Sequence, residues 1–93
     1  MTPGAINAIL IHASDDVATV IAELLEGDRA IFFKNEEIVQ VAVVGKIPQY
    51  HKLAVRDIKK AEPLRKYGEI IGEATQDIPR GSHVHEQNLD SPK

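Results

Sequence analysis

A single, mostly β domain is the fold these 93 residues predict, and three observations carry the prediction. The first is the material available for a core. Hydrophobic residues make up 43% of the chain, yet there are only two Phe, two Tyr and no Trp. The interior has to be assembled from Val, Ile, Leu and Ala, whose branched members sit well on a pleated surface. The second is an internal repeat: Glu23-Leu24-Leu25-Glu26-Gly27, Asp57-Ile58-Lys59-Lys60-Ala61 and Asp77-Ile78-Pro79-Arg80-Gly81 each read acid, aliphatic, two variable residues, small. Each is followed by a polar residue and a return to apolar character, so each reads as one strand, turn, strand unit. The third is the pair of apolar runs at residues 31–33 and 38–44 around Lys34-Asn35-Glu36-Glu37, the layout of a hairpin.

Taken in order, residues 1–7 read as a loose lead. Ala8-Ile9-Leu10-Ile11-His12 is a compact apolar run closed by Ser14-Asp15-Asp16, which predicts a strand ending in a turn. Residues 17–25 support two readings. Val17, Val20, Ile21, Leu24 and Leu25 follow helical spacing, with Ser14 or Asp15 as a cap. The repeat instead favours a strand followed by a turn, with a short helix around residues 20–25 as the competing reading. Asp57-Ile58-Lys59-Lys60 likewise reads as either a turn or one helical turn. In every unit the aliphatic residue is expected to plug the core, and the closing glycine to take the positive φ of the turn. Gly45 and Pro48 interrupt the ladder and predict an exposed loop at residues 46–52 carrying His51 and Lys52. Residues 90–93 read as a frayed tail.

Fourteen acidic against eleven basic residues give a net charge of −3, which argues against a nucleic-acid binder, since a phosphate backbone calls for a basic stripe. The one basic cluster, Lys59, Lys60, Arg65 and Lys66, is broken by Glu62 and reads as a solvated edge. There is no cysteine, so disulfides and thiolate metal sites are excluded. No apolar stretch approaches the ~18 residues of a membrane span, and no basic region precedes a long apolar run. A soluble, cytoplasmic protein is the expectation. Phosphate-loop and dinucleotide fingerprints are absent, as is any Ser/His/Asp or paired-carboxylate arrangement, so catalytic residues on this chain are unknown.

The least generic stretch is residues 66–89, KYGEIIGEATQDIPRGSHVHEQNL. In an extended strand His83 and His85 share a face and Val84 takes the other. A three-histidine zinc site is conceivable, but His-x-His supplies only two ligands, so no metal site is expected here. Lys52, Lys66 and imidazoles beside glycine-rich turns make a small electropositive pocket suited to a carboxylate. Gly68 and Gly72 would let backbone N–H groups approach the ligand, while Thr75 and Asn88 would bond hydroxyls. The plainer reading has Lys52 and Lys66 as solvated charges, Tyr67 as a core aromatic, Gly68 as a turn residue and Asn88 bonded to its own backbone.

KYGEIIGEAT and GSHVHEQNL, together with His12-Ala13-Ser14-Asp15-Asp16-Val17-Ala18 and Ile47-Pro48-Gln49-Tyr50-His51-Lys52-Leu53-Ala54, resemble the small subunit or N-terminal domain of the altronate and galactarate dehydratase family. The match runs from about His12 to Leu89. The resemblance implies an SAF-type β-clip with short helical turns, in one domain spanning residues 1–93. It also implies the small subunit of a lyase, inactive without a large dehydratase subunit. That enzyme would eliminate water, or sulfite, from a hydroxy-carboxylate such as altronate, galactarate or sulfolactate. No cofactor is then bound by this chain alone, and a divalent iron or magnesium ion is expected in the large subunit. Matching the family's motifs, His12, Asp15, His51, Lys52, Lys66, Tyr67, Gly68, His83, His85 and Asn88 are expected to hold the substrate's carboxylate and hydroxyls at the subunit interface. The chain departs from the family pattern at Tyr50, usually glycine, at Asp16, usually asparagine, and at Gln87, usually histidine. The competing readings are a stand-alone SAF module that binds a small carboxylate or carbohydrate without catalysis, and a self-association domain.

Overall fold

A computed structural model describes residues 5–90. Its strands in chain order are β1 (Ala8–Ile9), β2 (Val17–Val20), β3 (Arg29–Lys34), β4 (Glu37–Ala42), β5 (Lys52–Ala54), β6 (Pro63–Lys66), β7 (Glu69–Ala74), β8 (His83–Val84) and β9 (Leu89–Asp90). All pairings are antiparallel: a four-stranded sheet in the order β1-β2-β5-β8, the hairpin β3-β4, and a three-stranded sheet β6-β7-β9. The mostly β expectation is met, and among the described residues there is no helix. It follows that none of them forms a helix long and apolar enough to cross a membrane. Residues 1–4 and 91–93, most of the loose lead and frayed tail read from the sequence, lie outside the described residues. The inner ends of those segments are bonded. Asn7 donates through Nδ2 to Arg29 O at 2.9 Å and accepts Ile31 N–H on Oδ1 at 2.7 Å, and Asp90 pairs with Glu73 in β9.

Why β2 buries Val17, Ala18 and Val20 follows from two separate cores. Ala18 and Val20 of β2 and Leu53 of β5 belong to one cluster with Leu24, Phe32, Val41 and Ile47. Val17 and Ala54 belong to a second with Ile58, Leu64, Ile78 and Val84. Side chains alternate across a strand, so β2 and β5 feed both clusters, one from each face. This also resolves residues 17–25 against a helix. Val17, Val20 and Leu24 are buried for those reasons, whereas Ile21 and Leu25, which a helix would turn inward with them, are exposed. β1 stops at Ile9 rather than running to His12. Leu10 only half-packs on the first cluster, Ile11 is 53% exposed, and the His12 N–H turns to the Asp15 carboxylate at 3.1 Å.

The repeat has four copies rather than three. Leu24 pairs with Ile47, and Ile58 with Ile78, as isolated antiparallel bridges with N–H···O bonds in both directions at 2.7–2.9 Å. After each plug the residue four positions on donates its N–H to the carbonyl of the residue after the plug: Asp28 to Leu25, His51 to Pro48, Glu62 to Lys59 and Ser82 to Pro79. The turn closes at positive φ each time, on Gly27 at 93°, Tyr50 at 66°, Ala61 at 74° and Gly81 at 91°. The segment 46–52, expected as an exposed loop, is therefore the fourth unit, with Ile47 fully buried. The acid that opens a unit caps its partner: Arg80 N–H donates to Asp57 Oδ1 and Lys60 N–H to Asp77 Oδ1, each at 2.8 Å. Lys46 stands where the fourth acid would, and meets Glu23 of the opposite unit at 3.5 Å. The helical turn considered at residues 57–60 does not form, because Ile58 is held in its bridge and Lys60 by Asp77.

Candidate functional site

Pairing of β5 with β8 sets Leu53 opposite His83 and Lys52 opposite Val84. His83 therefore leaves the sheet on one face and Lys52 on the other, and His51, one residue before β5, joins His83. His51 Nδ1 lies 2.8 Å from His83 Nε2. The His85 ring stacks on His51 with centroids 4.5 Å apart, and on His83 at 5.6 Å with only 10° between the planes. Three imidazoles thus form one half-buried group. Sequence alternation anticipated the His83–His85 juxtaposition, although β8 ends at Val84. It gave no reason to expect His51, which arrives through a pairing 32 residues away in the chain. Burial, and then the neighbouring charges of His51, His85 and Lys52, push the His83 ring toward its neutral form.

Asn88 holds this group together through the backbone. It is 5% exposed, its Oδ1 accepts the His85 N–H at 3.0 Å and its Nδ2 donates to His83 O at 2.8 Å. Both of its polar atoms bond the backbone that carries the two histidines, as the plainer reading of Asn88 has it.

Beside the trio lies a shallow cavity of about 380 Å³, with Lys52, Lys66, Tyr67 and His85 on its polar side. Half-buried Ile71 and Leu89 line the apolar side, and Glu86 stands at the rim. Lys52 is held below the usual lysine range, first by burial and next by the charge of Lys66, with Tyr67 opposing. Tyr67 is not a core aromatic. It is 60% exposed, with Lys66 Nζ 4.7 Å above its ring.

A third group positions that turn. Asp15, 5% exposed, accepts N–H bonds from His12, from Tyr67 at 3.0 Å and from Gly68 at 2.8 Å. Tyr67 and Gly68 both have positive φ, 58° and 75°, as a type I′ hairpin turn demands. Asp15 thus clamps the turn that carries Tyr67 and Gly68. His12 stays outside the trio. Its Nδ1 accepts from Ser14 N–H at 3.1 Å and meets Ser14 Oγ at 2.7 Å. The ring lies against Gly68, where an added Cβ would stand 3.2 Å from His12 Cδ2. Gly72, expected to open backbone to a ligand, instead admits the Asp90 carbonyl, which a Cβ would strike.

Asp16 and Arg56 were not anticipated as a pair. Asp16, 7% exposed, accepts Arg56 Nε–H at 2.7 Å and Arg65 N–H at 2.8 Å, and Arg56 also reaches Glu62 at 3.3 Å. The Asp16 hydrogen bond is the main reason the Arg56 guanidinium binds its proton more firmly than usual. Asp15 and Asp16 together pin the β6-β7 hairpin, and with it Lys66 and Tyr67, to the start of β2.

The chain matches the altronate/galactarate dehydratase SAF domain family over residues 6–92. It is 33% identical over 88 residues to the (2R)-sulfolactate sulfo-lyase subunit alpha of Chromohalobacter salexigens, covering 91% of this chain and 94% of that protein. It is 40% identical over 80 residues to altronate dehydratase of Escherichia coli, and 35% over 80 residues to altronate dehydratase of Bacillus subtilis. Both matches cover 86% of this chain, and the chain spans only 15% of the length of each dehydratase.

Proposed function

The chain belongs to the altronate/galactarate dehydratase SAF domain family, and from that premise we propose that it is the substrate-holding small subunit of a lyase acting on a hydroxy-carboxylate. Its relatives are dehydratases and a sulfo-lyase subunit. One relative carries the name of a subunit, which supports the small-subunit reading. Elimination of water or sulfite, with its divalent metal, then belongs to a larger partner.

The observation that carries this reading is the cavity where Lys52 and Lys66 converge beside Tyr67 and His85. Two ammonium groups close enough to lower the pKa of one of them are relieved by an anion. A carboxylate fits that demand and leaves the Tyr67 hydroxyl and the His85 ring for the substrate's hydroxyls. This chain's residues bind and orient the acid, while Asp15, Asp16 and Asn88 keep the lysine turn and the histidine segment in place.

The test is to isolate the chain with its larger partner from native lysate and to assay the complex on altronate, galactarate and (2R)-sulfolactate. The expected result is lyase activity on one of them, with KM raised about tenfold or more when Lys52 and Lys66 are both changed to Ala, in line with the loss of charge-assisted hydrogen bonds. An unchanged KM in the double variant, with the complex intact, would overturn the carboxylate pocket. A complex without lyase activity on any such acid would overturn the lyase reading.

A further inference from the structure

We propose that His51, His83 and His85 bind one divalent transition-metal ion on this chain itself. Each offers one ring nitrogen, and the three lie within 4.8 Å of one another. The shortest separation, His51 Nδ1 to His83 Nε2, is 2.8 Å. An ion bound by imidazole at about 2.0–2.1 Å holds neighbouring nitrogens about 3.0–3.4 Å apart. That value lies above the 2.8 Å of the His51–His83 pair and inside the 4.8 Å within which all three nitrogens fall, so modest rotation of half-buried rings closes the set.

The supporting shell is already built. The β5-β8 register and both bonds of Asn88 fix the backbone under the rings. The Gln87 amide sits 3.2 Å from His83 Nδ1. Turned about, its oxygen accepts the Nδ1–H that a metal-bound Nε2 leaves on the ring, the kind of outer partner that ligating histidines have. A plain His51–His83 hydrogen bond accounts for only part of the arrangement, since among the described residues the His85 ring makes no hydrogen bond. Three imidazoles with no carboxylate among them suit zinc, cobalt or ferrous ions rather than magnesium, and leave coordination positions free for oxygen ligands. His85 also lines the Lys52–Lys66 cavity, so an ion held by the trio would give a bound hydroxy-acid a second anchor. The ion-binding claim stands apart from the lyase assignment and from the metal expected in a larger partner.

The experiment titrates the purified full chain, stripped by chelator, with Co²⁺ followed by visible absorption and then with competing Zn²⁺ and Mg²⁺. The expected result is one equivalent of Co²⁺ per chain with ligand-field bands, displaced by Zn²⁺ and not by Mg²⁺. Affinity should fall at least about tenfold in His83→Ala and in His85→Gln, and stay unchanged in His12→Ala. Circular dichroism checks that each variant is folded, and His85→Gln, lying outside β8, covers the case in which His83→Ala unfolds. Absence of saturable binding, or equal affinity in folded trio variants, overturns the proposal. Stoichiometric Co²⁺ binding by the chain, when its complex with the larger partner shows no lyase activity on any of the acids, upholds this site and rejects the proposed function; the opposite pair of results does the reverse.

Discussion

Replacing Asn88 with Ala is the sharpest probe of how the histidine segment is held. The substitution removes the bond from His85 N–H to Oδ1 and the bond from Nδ2 to His83 O. At a site only 5% exposed, little water replaces them. Each such bond contributes about 1 kcal/mol net, and an abandoned buried group costs more, so the expected loss is about 2–3 kcal/mol. A domain of this size holds about 5–14 kcal/mol in all, so the variant should stay folded. Its melting temperature should fall by roughly 10–20 °C, at about 4–8 °C per kcal/mol. Gln87→Ala, one residue away but exposed, is the control and should change stability by less than about 0.5 kcal/mol. Thermal melts read by circular dichroism, with urea titrations to confirm an unchanged m-value, measure both. If Asn88→Ala melts within about 2 °C of the parent, the double bond to the backbone does not hold the segment and the clamp argument fails.

Three further outcomes follow from the same geometry. Gly81→Ala should cost more than about 3 kcal/mol, because φ is 91° and an added Cβ would strike the Ala42 carbonyl; a urea midpoint near that of the parent would refute it. Tyr50→Gly should raise stability by about 0.5–1 kcal/mol, since releasing a non-glycine residue from φ 66° gains about 1–2 kcal/mol and the freer unfolded chain takes back part of it; a lower melting temperature would count against the strain. Ile47→Ala should cost about 2–5 kcal/mol as a fully buried core truncation, whereas the exposed loop read from the sequence would make it nearly silent.

Local chemistry was legible, and long-range pairing was not. The aliphatic plugs announced themselves in Leu24, Ile58 and Ile78 because their units share an opening acid and a small closing residue. Ile47 stayed hidden because Lys46 and Tyr50 occupy those positions, the first answering Glu23 across the bridge and the second accepting a positive φ. The lysine pocket could be anticipated from residue types. His51 could not be joined to His83, because nothing in the sequence fixes the order β2-β5-β8. The backbone bonds of Asp15 were hidden because a polar side chain in a motif does not disclose where its oxygens go. A signal was present all the same. Asp15 to His12, Asp28 to Leu25, Glu62 to Lys59 and Asn88 to His85 each accept the N–H three residues back. An acid or amide spaced that way from a turn is a backbone staple first.

The two plug bridges bear on the order in which the molecule can assemble. Leu24 meets Ile47 and Ile58 meets Ile78 over shorter chain separations than the 32 residues between His51 and His83, and shorter loops close at lower entropic cost. Each bridge can therefore close within its own half of the chain, the first ahead of β5 and the second ahead of β8. The histidine group requires both halves and the docking of β8 on β5. Its formation is thus a reporter of complete folding, and partial unfolding that releases only the two-residue β8 would silence the site while both bridges survive.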